Sequence, residues 1–127
     1  MNQNKLRGIG TDIIRVSRIR EALHTHKERM QQRLFTEAEI AYCIKFKDPA
    51  IHFAGRFSAK EAVAKALGTG LGKDLSWQDI EIGHAPSGQP IVILSERARH
   101  THNNPQILLS ISHCEEYATA TAVVLFS

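Results

Sequence analysis

The chain has 127 residues, of which 43% are hydrophobic and 23% are charged, and its formal net charge is +3. This length and composition are those of one soluble domain spanning residues 1–127. No apolar run approaches the roughly 20 residues of a membrane span and the first ten residues lack an apolar signal core, so we expect a cytoplasmic protein without membrane contact.

The N-terminal part of the chain is predicted to form a strand followed by a helix. Residues 5–16 are rich in β-branched side chains, which favours a strand that ends near Asp12. Residues 17–30 have apolar positions at helical spacing, and Ser17 stands where a helix cap is expected. The predicted buried stripe of this helix consists of Ile19, Leu23, His26 and Met30.

Two further helices are predicted in the middle of the chain. The pattern Thr36-x-x-Glu39 is a capping box, so a helix is expected over residues 36–46. The dipeptide Asp48-Pro49 starts a third helix, because aspartate caps helices and proline suits their first turn. We expect this third helix to end at about Leu67.

The remainder of the chain is predicted to be mostly strands. Residues 79–83 and 90–94 flank a turn and form one hairpin, and residues 106–113 and 117–126 form a second. A short helix is expected over residues 95–102. Because these helices and strands do not alternate as βαβ units, we predict the α+β class, with a largely antiparallel sheet packed with helices.

The third helix carries charged residues beside an apolar face. That face, which follows helical spacing and is predicted to be buried, consists of Ala59, Ala62, Val63, Ala66 and Leu67. Glu61 and Lys65 are four residues apart on another face, so their side chains are neighbours. They form an exposed ion pair, or Glu61 forms with Ser58 the capping box of a helix that begins later, or the charged residues bind an anionic ligand.

A glycine turn, Gly68-Thr69-Gly70, follows this helix. The segment is not a P-loop, because Leu67 stands in place of the first glycine and Asp74 in place of the residue that would bind magnesium. The turn is therefore either an ordinary helix C-cap or a nest of backbone amides open to a phosphate group.

The basic residues are concentrated near the N-terminus. Residues 1–33 contain eight basic and three acidic side chains, a net charge of +5. Such a segment implies an acidic partner. A nucleic-acid-binding surface would interleave aromatic residues for base stacking, and residues 1–33 contain none, so nucleic acid is not the expected partner.

Three blocks of sequence together resemble a known family. They are GIGTDIIRVSRI at residues 8–19, FAGRFSAKEAVAKALGTGLG at residues 53–72 and SISHCEEYATA at residues 110–120, with the spacer SGQP at residues 87–90. In this order they resemble the holo-[acyl-carrier-protein] synthases, the small bacterial 4′-phosphopantetheinyl transferases, over nearly the whole chain.

The resemblance implies a magnesium-dependent transfer in support of fatty acid biosynthesis. Coenzyme A is cleaved at its pyrophosphate, 4′-phosphopantetheine passes to a serine of apo acyl carrier protein, and adenosine 3′,5′-bisphosphate leaves. The metal carboxylates of the family fall on Asp12 and Glu61, and its phosphate-binding lysine falls on Lys65. Glu61 and Lys65 are thus the catalytic candidates, with Glu61 taking the serine proton directly or through a metal-bound water molecule.

The same resemblance implies how the substrates bind. The positions associated with coenzyme A are Arg56, Lys60, Lys65, Gly68, Thr69 and His113. By itself, His113 at the end of a predicted strand would be either structural or catalytic. One departure from the family is Arg15, which stands where an acidic residue is common and adds positive charge near the metal or the docking surface.

The carrier protein is expected to dock on the first helix. Arg18 and Phe57 match family positions that contact the carrier, and Arg29 lies on the same flank as Arg18 at 100° per residue. An acidic acyl carrier protein suits this basic surface.

The resemblance also implies a homotrimer with sites at subunit boundaries, which is the usual assembly of the family. One face of the last predicted strand, where small side chains let a neighbouring element approach, consists of Ala118, Ala120 and Ala122.

Overall fold

The computed structural model describes residues 5–126, except for the side chain of residue 126. Its strands are β1 (Lys5–Arg15), β2 (Ile80–His84), β3 (Pro90–Leu94), β4 (Gln106–His113) and β5 (Tyr117–Phe126). Its α-helices are α1 (Val16–Leu34), α2 (Glu37–Cys43), α3 (Pro49–Leu67) and α4 (Glu96–Thr101). A short 3₁₀ turn, Trp77–Asp79, precedes β2 and was absent from the sequence prediction.

The strands form two antiparallel sheets. Strand order in the larger sheet is β1-β5-β4, and β2 and β3 pair separately as a hairpin. Helix α3 packs across one face of the larger sheet. These features confirm the α+β class with antiparallel pairing. No helix in residues 5–126 is both long and apolar enough to cross a membrane.

Glycines in β1 bring this strand unusually close to α3. A Cβ atom added to Gly8 would lie 2.0 Å from the carbonyl oxygen of Ala66, and one added to Gly10 would lie 2.1 Å from that of Ala62. Real side chains cannot approach backbone so closely, so only glycine fits at these two positions. The glycines of the first sequence block therefore serve strand–helix packing.

Strand β5 alternates between a buried and an outer face. Ala118, Ala120 and Ala122 are buried, so the element that their small side chains admit is α3 of the same chain. On the outer face of the sheet, Ile9 pairs with Val123 and Val123 with Leu108, giving an apolar row across all three strands. Of this row, Ile9 is 64% exposed and Leu108 48% exposed.

Several predicted helix features are confirmed and others are wrong. The Thr36–Glu39 capping box is present, and α3 runs from Pro49 to Leu67 as predicted. Ser17 is not a cap, because α1 already begins at Val16 and its cap position makes no side-chain hydrogen bond. Asp48 likewise makes no capping bond, since its carboxylate pairs with Arg20 at 2.7 Å.

Helix α1 departs further from the predicted periodicity. Its backbone leaves helical geometry at Lys27, where φ is 39° and ψ is −121°. His26, which comes before this kink, is exposed and does not belong to the buried stripe, whereas Ile19 and Met30 are buried as predicted. Strand β1 also extends beyond its predicted end, so Asp12 lies within the strand and pairs with Ala120.

A buried carboxylate, Asp79, joins the 3₁₀ turn to the start of α4. It accepts hydrogen bonds from the Ser76 backbone amide at 2.8 Å and from Ser95 Oγ at 2.7 Å, and Arg97 pairs with its Oδ2. Burial alone would raise the pKa of Asp79, but these hydrogen bonds outweigh it and lower the pKa from 3.8 to about 2.

Asp79→Asn should therefore destabilise the protein by about 2 kcal/mol at pH 7, since each pKa unit is worth about 1.4 kcal/mol. The stabilising contribution of an acid with a lowered pKa is complete above its unfolded value near 4 and is lost as pH falls towards 2. Urea denaturation at pH 7 and pH 3 checks this prediction. The difference in the free energy of unfolding between the wild type and Asp79→Asn should be smaller at pH 3 than at pH 7. Asp74→Asn is the matched control, because Asp74 is exposed. An equal loss of stability in Asp74→Asn would contradict the stabilising role of the Asp79 carboxylate.

Candidate active site

Two carboxylates and a lysine meet where β1 crosses α3. Lys65 Nζ lies 2.9 Å from the Thr11 carbonyl oxygen and 3.4 Å from Asp12 Oδ1. The other carboxylate oxygen, Asp12 Oδ2, is buried and has no hydrogen-bond partner among the described residues. A buried carboxylate oxygen without a partner is costly, and it marks a place where a cation or a donor would be favoured.

Glu61 lies beside this pair on α3. Burial, and secondly the nearby Asp12 carboxylate, raise the pKa of Glu61, while Lys65 opposes the rise. The arrangement therefore holds two negative charges close together with partial compensation. A site of this kind fits Mg²⁺, which prefers oxygen ligands and typically takes one or two carboxylates together with substrate phosphates.

Two of the arrangements predicted for the charged residues of α3, the Glu61–Lys65 ion pair and the Ser58 capping box, are absent from the structure of residues 5–126. Within residues 5–126, Lys65 forms its ion pair with Asp12 and not with Glu61. Ser58 is in the interior of α3, where it cannot cap, and its hydroxyl donates to the Ala118 carbonyl oxygen at 3.2 Å. The predicted apolar face of α3 is confirmed, because all five of its residues are buried.

Arg56 lies in a cleft between α2, α3, the β2–β3 hairpin and β4. Its guanidinium stacks over the Tyr42 ring at 4.1 Å and its Nη2 lies 3.2 Å from His84 Nε2. Its Nε is buried without a partner among the described residues. His113 lines the same cleft, with its ring centroid 5.7 Å from that of His52. The cleft thus combines a cationic donor with stacked rings.

Sequence reasoning missed three side chains of this cleft, namely Tyr42, His52 and His84. The pKa of His84 is lowered by burial first and then by Arg56, and burial and His113 lower that of His52. Both histidines are therefore favoured in the neutral form, and Arg56 supplies positive charge to the cleft. No motif marks the three rings, because they come from separate elements that only the fold brings together.

Lys60 does not fit its predicted contact with coenzyme A. Its side chain is 0% exposed and its ammonium lies 2.6 Å from Glu39 Oε1, 2.8 Å from the Leu34 carbonyl oxygen and 3.0 Å from that of Trp77. An ammonium has three donors, and all three are used. The structure therefore corrects the sequence prediction, and Lys60 is a buried residue of the core.

The glycine turn after α3 is a helix C-cap. Gly68 adopts the left-handed conformation with φ of 84°, and the amides of Thr69 and Gly70 donate to the Ala64 carbonyl oxygen. Because these amides point back into the helix, the alternative of a nest open to phosphate is wrong. Gly68 and Thr69 are nevertheless exposed one turn beyond Lys65.

The residues predicted to dock the carrier lie apart from one another. Arg18 and Arg29 are both exposed on α1, but the kink at Lys27 lies between them, so they do not share one continuous helical flank. Phe57 is half-buried and stacks on Trp77, with ring centroids 4.9 Å apart. Arg18 is the one of these three that follows closely after Asp12 in the chain.

Arg15 lies away from the carboxylates. Strand alternation puts it on the exposed face of β1, opposite to the face that carries Asp12. Its guanidinium lies 5.5 Å from the ring centre of Tyr117, its partner in β5. The acidic-to-basic departure at this position thus adds charge to the outer face of the sheet and not to the site.

Comparison with known proteins gives a consistent result. Residues 8–122 match the family model of the 4′-phosphopantetheinyl transferase superfamily. Holo-[acyl-carrier-protein] synthase from Chlamydia pneumoniae is 55% identical over 117 residues, 92% of this chain and 95% of that protein. The corresponding protein from Protochlamydia amoebophila is 48% identical and covers 91% of this chain and 95% of its own length.

Solved structures give the same match. Helicobacter pylori holo-[acyl-carrier-protein] synthase, in complex with coenzyme A, is similar with a TM-score of 0.84 and 38% identity, over 91% of this chain and 98% of that one. The enzyme from Bacillus anthracis, in complex with CoA (3′,5′-ADP), has a TM-score of 0.84 and 39% identity, over 96% and 98% of the two chains.

Proposed function

Since this chain belongs to the 4′-phosphopantetheinyl transferase superfamily and to its holo-[acyl-carrier-protein] synthases, we propose that Asp12, Glu61 and Lys65 carry out the transfer. The enzyme moves 4′-phosphopantetheine from coenzyme A to a serine of apo acyl carrier protein. The serine oxygen bonds to the phosphorus next to pantetheine, and the pyrophosphate P–O bond breaks. Adenosine 3′,5′-bisphosphate leaves with that electron pair.

The observation that carries this proposal is the buried, unpartnered Asp12 Oδ2 beside Glu61 and Lys65. Asp12 and Glu61 would hold a divalent cation, for which we propose Mg²⁺. When bound, the cation neutralises charge on the pyrophosphate and so favours its cleavage. Lys65, whose side chain is half exposed, can turn from Asp12 towards the leaving phosphate and stabilise its developing charge.

The serine proton passes to Glu61 in this proposal. This carboxylate lies on α3 beside Asp12 and Lys65, where the pyrophosphate would be held, and a carboxylate there can accept the proton directly or through a water molecule. For the nucleotide end of coenzyme A we propose the cleft with Arg56 and His113, since the free Nε of Arg56 favours an anion. At the turn after α3, the Thr69 hydroxyl is the candidate phosphate donor, with Gly68 leaving room for it.

The direct test is mass spectrometry of an apo acyl carrier protein incubated with coenzyme A, Mg²⁺ and this protein. The carrier should gain one 4′-phosphopantetheine group. A carrier whose acceptor serine is replaced by alanine is the control and should stay unmodified. An unmodified wild-type carrier would refute the proposal. Roles in fatty acid biosynthesis and in the cytoplasm, without nucleic-acid or membrane partners, remain predictions.

The outer face of the larger sheet supports assembly with further copies of the chain. The apolar row of Ile9, Val123 and Leu108 is continued on β1 by Ile13, which is 66% exposed. Exposed apolar side chains grouped on one face in this way commonly mark a protein–protein interaction surface. Together with the family resemblance it supports a homotrimer, in which a neighbouring copy would complete each site.

Light scattering should therefore give a mass three times that of the 14.2 kDa chain. Ile13→Lys places a charge on the apolar face and should shift the protein towards monomer, with loss of transfer activity. Ile44→Lys is the control, because Ile44 is similarly exposed but lies beyond α2. A fully active wild-type monomer at micromolar concentration would contradict both the trimer and the shared site.

For the carrier protein we propose docking beside Arg18. Arg18→Glu reverses a charge close in sequence to Asp12 and should raise the KM for carrier several-fold, with little change in the KM for coenzyme A. Added salt should raise the carrier KM of the wild type in the same direction, because exposed charges are screened over about 8–10 Å. Arg99→Glu on α4 is the control. A changed coenzyme A KM with an unchanged carrier KM would put the docking surface elsewhere.

A further inference from the structure

A buried ion pair joins α2 to α3 next to Glu61 in the chain. Glu39 and Lys60 have side chains that are 0% exposed, and their charged atoms lie 2.6 Å apart. Glu39 Oε1 also accepts from the Thr36 amide at 2.8 Å, and Glu39 Oε2 accepts from the Ile82 amide at 2.7 Å. Both polar groups are therefore fully used by the protein itself.

The pair connects α3 to four other segments. Through Glu39 it reaches the start of α2 and strand β2. Through the Leu34 and Trp77 carbonyl oxygens, Lys60 also reaches the end of α1 and the 3₁₀ turn. All these bonds are short and directional, so together they allow the Lys60 side chain one position.

The Glu39–Lys60 ion pair, which we call the anchor of α3, lies on the side of the helix opposite its contact with β1. Ala62 and Ala66 face Gly10 and Gly8 at close range. At 100° per residue, Lys60 lies about 200° from Ala62 around the helix, and Glu61 lies between them. The helix is therefore held on two opposite sides, with the Glu61 side chain on the flank between them.

We infer that Glu39 and Lys60 are positioning residues, which fix the rotation of α3 about its axis and thereby hold the Glu61 carboxyl group beside Asp12. This inference rests on the proposed metal site. A rotation of about 20° would move a side-chain tip at the helix radius of about 6 Å by about 2 Å. Functional constellations tolerate only about 0.5 Å, so the anchor matters for the site.

The pair is a suitable anchor because it is polar. An apolar contact is non-directional and would let α3 turn without losing much energy. Separation of Lys60 from Glu39 breaks the ion pair, and displacement of either side chain also breaks its two hydrogen bonds to backbone groups, so buried polar groups would remain unpaired. Neither residue contacts the cleft of Arg56 or the Asp12 carboxylate, so their influence on the reaction acts through Glu61.

The test replaces both charges, because K60M alone leaves the Glu39 carboxylate buried and unpaired and is expected to destabilise the fold. In E39Q/K60M, the glutamine amide can accept from one backbone amide and donate to one of the freed carbonyl oxygens. Mn²⁺ binding is measured by electron paramagnetic resonance with saturating adenosine 3′,5′-bisphosphate. Binding of that nucleotide without metal is measured by calorimetry.

We expect E39Q/K60M to weaken Mn²⁺ binding at least fivefold and to leave metal-free nucleotide binding within twofold of the wild type. Leu94→Ala, a core variant in β3, is the control for a general loss of stability and should bind Mn²⁺ normally. Wild-type Mn²⁺ affinity in E39Q/K60M would overturn the positioning role, and so would a loss of nucleotide binding, which would instead make Lys60 a ligand contact.

Failure of the underlying metal site would look different. Wild-type protein that binds no Mn²⁺, or Asp12→Asn that binds it as well as the wild type, would refute the site itself and the inference with it. If Asp12→Asn loses Mn²⁺ while E39Q/K60M keeps it, only the positioning inference fails.

Discussion

Asp12→Asn and Glu61→Gln should each lower kcat/KM for transfer at least about 100-fold, which corresponds to about 2.7 kcal/mol of transition-state stabilisation. Each change removes one of the two carboxylates proposed to hold the cation that offsets charge on the pyrophosphate. Steady-state transfer assays at saturating Mg²⁺ measure the effect. Added EDTA should stop the wild-type reaction in the same assay.

Neither variant should lose stability. Asp12 Oδ2 is buried without a partner among the described residues, and burial and Asp12 raise the pKa of Glu61, so both carboxylates are costly in the folded protein. Neutral amides should therefore leave Tm unchanged or raise it, as is common where a site is kept at the expense of stability. Glu28→Gln, on the exposed part of α1, is the control for both measurements. Near-normal turnover in either variant would refute the metal site.

The local features of α2 and α3 were predictable from sequence because they depend on near neighbours. The Thr36–Glu39 capping box and the start of α3 at Pro49 follow from residues three or four positions apart. The second carboxylate oxygen of Glu39, however, binds Ile82, which is 43 residues away. Nothing in the local pattern indicates that contact, and the same is true of Lys60, whose motif position suggested a ligand contact.

The course of α1 could not be predicted for a similar reason. The spacing of Ile19, Leu23 and Met30 continues through Lys27 without interruption, whereas the backbone leaves the helical region there. Neither proline nor glycine marks the kink, so propensity gives no warning of it. The flank predicted to join Arg18 and Arg29 failed at this point, because 100° per residue applies only within one continuous helix.

The site itself was predicted from family resemblance more than from physics. Asp12 and Glu61 are 49 positions apart, and spacing alone leaves Glu61 as an exposed partner of Lys65. What the structure adds is the reason that they meet, which lies in β1. The two glycines that flank Ile9 carry no side chain, so β1 can lie directly against the backbone of α3. The next residue of β1 that faces α3 is Asp12, which therefore lies beside Glu61.

Gly10→Ala should therefore destabilise the protein by at least about 3 kcal/mol, at the upper end of the cost of overpacking. The added methyl group would lie 2.1 Å from the Ala62 carbonyl oxygen and 2.7 Å from the Ala66 amide nitrogen, and both are helix backbone that cannot rotate away. Gly72→Ala is the matched control, because a Cβ atom there meets nothing within 4 Å, and its effect should stay within about 0.5 kcal/mol. Urea denaturation of the two variants gives the comparison.

The same substitution should also separate the two carboxylates. To accept a methyl group at Gly10, β1 has to move away from α3, and Asp12, two residues further along the strand, moves with it. Any Gly10→Ala protein that remains folded at low temperature should accordingly bind Mn²⁺ more weakly and transfer more slowly than Gly72→Ala measured under the same conditions. Equal stability of the two variants would mean that strand and helix are not in close contact. Lower stability with normal Mn²⁺ binding would mean that the carboxylates do not depend on that contact for their separation.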